Sequence, residues 1–150
     1  MRAITIGQVL DHVEAFEDLL STFYETFSRE SSHEGVRLLT EYMSRHSHHM
    51  RDLLSKLPEE KVSHFLKVPI SYQPHIPDCH CFERIEITPE TEAAEVLDAA
   101  VLLDECLMQL YRQVVRQPVE EQIRELFEEL ILIVEQDEIQ IKKIKAMNYF

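Results

Sequence analysis

Glycine is almost missing from this chain: two residues in 150. So few cannot supply the turns of a many-stranded sandwich or barrel. Nor can they build a Gly-rich phosphate loop, which excludes P-loop and dinucleotide-binding readings and with them a nucleotide ligand. Tryptophan is absent, and positive charge is scarce, with 15 Lys and Arg against 28 Asp and Glu, a net −13. That balance opposes nucleic acid as a partner, since phosphate neutralisation by Lys and Arg drives such binding. Long hydrophobic runs are also missing. The longest, Ala99 to Leu103 and Leu130 to Val134, fall far short of a membrane span. The start reaches Asp11 and His12 before any apolar stretch develops, unlike a signal peptide. The three cysteines, Cys79, Cys81 and Cys106, are an odd number outside any disulfide framework. They are expected as reduced thiols in a cytoplasmic protein.

What is present is apolar. Hydrophobic residues make up 45% of the chain, too many for an acidic disordered tail. One domain over residues 1–150 is expected, burying about two thirds of its surface. Its six prolines, at 58, 69, 74, 77, 89 and 118, mark where helices cannot run through. The stretches between them predict four helices, roughly 5–30, 33–57, 89–117 and 118–147. Thr5 is placed to cap the first, although Gly7 weakens its opening turn. Ser31 with Glu34 resembles a capping box for the second. Thr88, Pro89 and Glu90 suit the start of the third, and Glu120 and Glu121 follow Pro118 in the same way. Lys142, Lys143 and Lys145 sit where the last helix dipole favours cations.

Apolar residues recur at alternating spacings of three and four. The expected stripes are Val9, Val13, Phe16, Leu20, Phe23 and Phe27; then Val36, Leu39, Met43, His46, Met50, Leu53 and Leu57. The third runs through Ala93, Leu97, Ala100, Asp104, Leu107, Tyr111 and Val114, and the fourth through Ile123, Leu130, Val134, Asp137, Ile141 and Ile144. Two tight hairpins joined by a long crossover, 58–88, give an all-α four-helix bundle. A short helix over Glu59 to Leu66 fits inside that crossover. The hairpins look like weak repeats, because Glu17–Asp18 precedes Tyr24 as Asp104–Glu105 precedes Tyr111. In each, the first acid and its tyrosine are two turns apart on one face.

Chemistry is expected where polar side chains interrupt the stripes. Asp104, Asp137 and His46 do so, His49 is near, and Glu17 falls on the Val13, Leu20, Tyr24 line. An unpaired buried carboxylate costs several kcal/mol, so convergence of several requires an offset: a metal ion, or mutual hydrogen bonding.

On these phrases the chain resembles the ferritin-like superfamily, in its rubrerythrin-like branch. The resemblance covers the four helices. It implies a ferritin-like bundle in which each hairpin supplies a Glu from its first helix and a Glu-x-x-His from its second, binding two irons or manganeses. The implied positions are Glu17 and Asp104, then His46 and His49, then Val134 and Asp137. Only Glu17 and His49 keep the family's residue type, Val134 cannot bind a metal, and Asp104 is one methylene short. Glu105, Glu135 or Glu138 would have to substitute through a helix rotation. The implied cofactor is iron or manganese, with zinc a lesser fit. The rubredoxin-type Cys₄ module is absent.

Other candidates are weaker. Cys79, His80 and Cys81, with His75 nearby, carry soft-metal ligands but lack the usual second pair. His48 lies off the stripe. No serine sits in a nucleophile elbow, and Cys106 is expected as an inert core thiol. Helices 3 and 4 are apolar over so wide an arc that either the crossover or a homodimer must cover them. Two functional expectations result: a metal-binding bundle with a metal-handling or oxidoreductase-type role, and a metal-free dimeric adaptor or regulator with a relic polar core.

Overall fold

The computed structural model describes residues 4–57, 63–64 and 66–147. Four helices account for most of them: α1 (Ile6–Glu30), α2 (Glu34–Ser55), α3 (Ala93–Val115) and α4 (Glu121–Met147). Among the described residues there is no strand, only an isolated bridge between Thr5 and Pro69. The predicted short helix at Glu59 to Leu66 falls largely outside the described residues.

The caps follow the sequence in one case and depart from it in two. Thr5 closes a capping box with Gln8. Ser31 does not cap α2; its hydroxyl accepts from the His33 amide, a local turn that leaves His33 as the N-cap without a side-chain bond. α3 starts at Ala93 rather than at Pro89. Thr88 and Thr91 bond to one another's backbone, and this turn holds residues 88–91 out of the helix.

Cross-helix bonds fix the directions. Between α1 and α2, Arg37 reaches Ser28, Ser21 meets Ser44, and Arg51 meets Asp18 at 2.7 Å, so the pair is antiparallel. Between α3 and α4, Arg124 bonds to the Val115 carbonyl, Tyr111 packs edge-on to Phe127, and Lys145 meets Asp98 at 2.6 Å, again antiparallel. The start of α3 sits beside the α1–α2 turn, where Ser32 donates to the Pro89 carbonyl and His33 meets that of Glu90. The order is therefore up, down, down, up, and the crossover must climb the whole bundle.

The climb runs along α3. Gln117 bonds both backbone groups of Tyr72, His75 donates its amide to Gln113, and Phe82 stacks on Phe16 and Phe23 of α1. A 3₁₀ turn, Cys79–Phe82, lies midway. Ile76, Phe82, Ile85 and Ile87 pack on the core, so the crossover covers part of the wide apolar arc of α3. The α2 stripe differs by one position: Ser47 and Leu54 are buried while Leu53 is 48% exposed and His46 sits at the edge. Adjacent leucines at 53 and 54 left that phase open, and the structure takes the 43, 47, 50, 54 line.

Gly7 has a steric reason. Its amide donates to the Leu66 carbonyl at 2.8 Å, and a Cβ built there would lie 2.9 Å from that oxygen. Alanine ordinarily gains about 1 kcal/mol over glycine inside a helix. Here Gly7→Ala is expected to lower stability by about 1 kcal/mol instead, read as a lower urea midpoint with unchanged slope. A rise in the midpoint would show that the crossover yields at no cost.

Candidate functional site

Glu17, His46, Asp104 and Asp137 stand near the middle of α1, α2, α3 and α4 respectively. Each reaches that level because its helix keeps core residues above and below it: Val13 and Leu20 around Glu17, Ala100 and Leu107 around Asp104. Glu17 is 5% exposed. Burial drives its carboxyl up to about 8, against the pull of His46 and a hydrogen bond from Ser47, with Asp137 adding to the rise. Burial also raises Asp104 far above the carboxylate range, helped by Asp137, Glu17, Glu138 and Glu105. His46 Nε2 lies 2.6 Å from Asp137 Oδ2, and that bond raises the imidazole. The imidazole of His46 faces Asp137 and Glu17, and Asp104 in turn lies near those two acids.

The tyrosines complete a crossed pattern. Tyr24 and Tyr111 are fully buried. Burial raises both, and the leading charged neighbour of Tyr24 is Asp104 while that of Tyr111 is Glu17. Both tyrosines thus sit near the acids of both hairpins. A cavity of about 250 Å³ opens beside this group, lined by Tyr24, Met43, His46, Ser47, Leu97, Asp104, Asp137 and Ile141 from all four helices. It is smaller than ordinary small-molecule pockets and roomy enough for several waters or a hydrated ion.

The remaining sequence candidates lie elsewhere. His49 is exposed, away from the buried group. Val134 is buried in the apolar core. Glu135 is exposed, and Glu138 is raised by burial and by its hydrogen bond with Glu105, while one of its oxygens is buried without a partner. His48 pairs with Asp52 at 3.6 Å on the surface. Ser47 escaped the sequence reading because serine is unremarkable alone; its place between Met43 and Met50 was the available signal.

A two-metal centre of the resembling family does not fit these side chains. Two of its implied positions hold a buried valine and an exposed histidine. Among the described residues, the group of three His, Cys, Asp or Glu whose ligand atoms all lie within 4.8 Å is Asp78, Cys79 and His80, outside the bundle. All three cysteines are free. Cys106 lies under the crossover, where burial and a hydrogen bond with Cys81 push its thiol up to about 12. No described helix is long and apolar enough to cross a membrane. Comparison with protein-family models, curated proteins and solved structures yields no match to this chain.

Glu17 titrates from an ordinary 4.5 up to about 8 on folding, so the folded chain holds a proton the unfolded chain has released across that window. Stability therefore falls as pH rises from about 4.5 to 8. Asp104 and His46 are also raised and push the same way. Chelator-treated protein is expected to unfold at lower urea at pH 8.5 than at pH 5.5. Glu17→Gln should recover up to about 3 kcal/mol of that loss at the higher pH. An equal pH dependence in the variant would contradict the assignment.

Proposed function

We propose that this is a ferritin-like bundle of the rubrerythrin type that has lost the two-metal centre and takes one divalent cation between its helices. Its cation is iron or manganese before zinc, and its role is metal handling or oxidoreductase-type chemistry. The observation that carries the reading is the donor set. Carboxyls from both hairpins, the buried Glu17 and the partly buried Asp104, both feel the charge of Asp137, which bonds to His46. Hard oxygen donors with one imidazole suit Fe²⁺ or Mn²⁺ better than a soft ion. A cation would supply the missing positive charge. Glu17, Asp104, His46 and Asp137 would hold it, while Tyr24 and the cavity leave room for water beside it. The chain itself orients Asp137 through His46 and raises Glu17 and Asp104, so that protons leave them as they become ligands.

A second reading has its own support. His46 and Asp137 already satisfy one another at 2.6 Å, and neutral acids require no cation. A metal-free homodimer acting as an adaptor or regulator would then bury the outer face of α3 and α4, where Leu102, Leu132 and Ile139 are about half exposed. A cytoplasmic location, in keeping with three free cysteines, suits either reading.

Elemental analysis of protein grown with iron and manganese separates the two. About one metal per chain is expected, falling severalfold in an Asp104→Asn, Glu17→Gln variant that still folds by circular dichroism. Less than a tenth of a metal per chain, unchanged in that variant, would sink the first reading. In that case Asp104→Leu should be neutral or stabilising, as for other buried charged groups replaced by apolar ones.

A further inference from the structure

The bundle core leaves one group of metal-ligating side chains unused, on the 3₁₀ turn of the crossover. Asp78 Oδ1 lies 2.9 Å from His80 Nδ1, and Cys79 Sγ lies 4.0 Å from the same nitrogen. One ligand atom from each of these residues falls within 4.8 Å of the other two. In a tetrahedral zinc site, bonds of 2.0 to 2.3 Å place neighbouring ligand atoms about 3.3 to 3.7 Å apart. The observed spacings bracket that range, so a side-chain rotation would close the site.

We propose that Asp78, Cys79 and His80 form an exchangeable site for Zn²⁺ on the crossover, distinct from the cation site between the helices.

Three features of the turn support this. The backbone is set beforehand, because Asp78 caps the turn by accepting the His80 amide at 2.9 Å and its carbonyl accepts from Cys81. A carboxylate also stands beyond the ring, since His80 Nε2 lies 3.8 Å from Glu83 Oε1, a gap that a small side-chain movement closes. A carboxylate beyond the ring is the usual device that fixes the tautomer of a ligating histidine. The turn is also anchored, because Phe82 packs on Phe16 and Phe23.

The donor set selects the ion. A thiolate with imidazole and carboxylate suits Zn²⁺ and disfavours Mg²⁺ or Ca²⁺. Three protein ligands leave the fourth position to water, and all three residues are exposed, which favours exchange over permanent structural binding. Cys81 and Cys106 do not join the set, because their thiols bond to one another along α3. Binding replaces the proton shared between Asp78 and His80 and that of the Cys79 thiol; no redox step is involved.

Co²⁺ added to the full-length reduced protein is the test, with Zn²⁺ as competitor. The expected result is a thiolate-to-cobalt charge-transfer band saturating at one equivalent and erased by Zn²⁺. It should be lost in Cys79→Ser and in His80→Ala, and kept in Cys81→Ser, Cys106→Ser and the Glu17→Gln, Asp104→Asn variant. Glu83→Gln should weaken Zn²⁺ binding about tenfold. Absence of the band, or its loss in Cys81→Ser or Cys106→Ser in place of Cys79→Ser, would overturn the proposal. The core cation has no thiolate ligand and gives no such band, so either site can fail without the other.

Discussion

The structure depends on what it costs to hold carboxyl groups at the centre of a packed bundle. Glu17 and Asp104 come from opposite hairpins, and no lysine or arginine follows them inside. An ionised pair in that position would be expensive by many kcal/mol, so the chain neutralises it by taking up protons. The rest of the middle layer is arranged around that choice. Ser47 donates to Glu17, His46 ties up Asp137, and both tyrosines lie near the acids of both hairpins.

The second constraint is geometric. A chain that goes up, down, down, up must return the full length of α2, about 33 Å for its 22 residues, outside the bundle. Among its described residues that segment has only the one 3₁₀ turn, so most of their backbone groups need other partners. Gln117 serves Tyr72 as a strand would, Gln113 serves His75, and the start of α1 serves Leu66, Val68 and Ile70. Gly7 belongs to this problem rather than to helix formation, because the carbonyl of Leu66 occupies the space a side chain would fill.

The sequence made much of this readable, for uneven physical reasons. Helix positions were legible because proline and apolar period act locally. Both misplaced starts, at Ser31 and Thr88, involve hydroxyls with two competing uses: capping a helix or closing a turn beside it. The convergence of Glu17, His46, Asp104 and Asp137 was legible from acids standing inside stripes. His49 was misgrouped with them because three histidines in four positions sample every direction around a helix, and only packing selects one. Ser47 and the facing of Glu83 toward His80 depend on tertiary approach, which spacing does not encode.

Two kinds of donor are kept apart by this fold. Inside, oxygen and one imidazole face a small cavity, and entry of a cation requires the acids to give up protons they hold to about pH 8 in the case of Glu17. Outside, sulfur and nitrogen stand on an exposed turn. The crossover that carries them packs its phenylalanine on α1 directly above the level of Glu17, since Phe82 stacks on both Phe16 and Phe23. Phe82 thus joins the turn that carries Cys79 and His80 to the helix that holds Glu17.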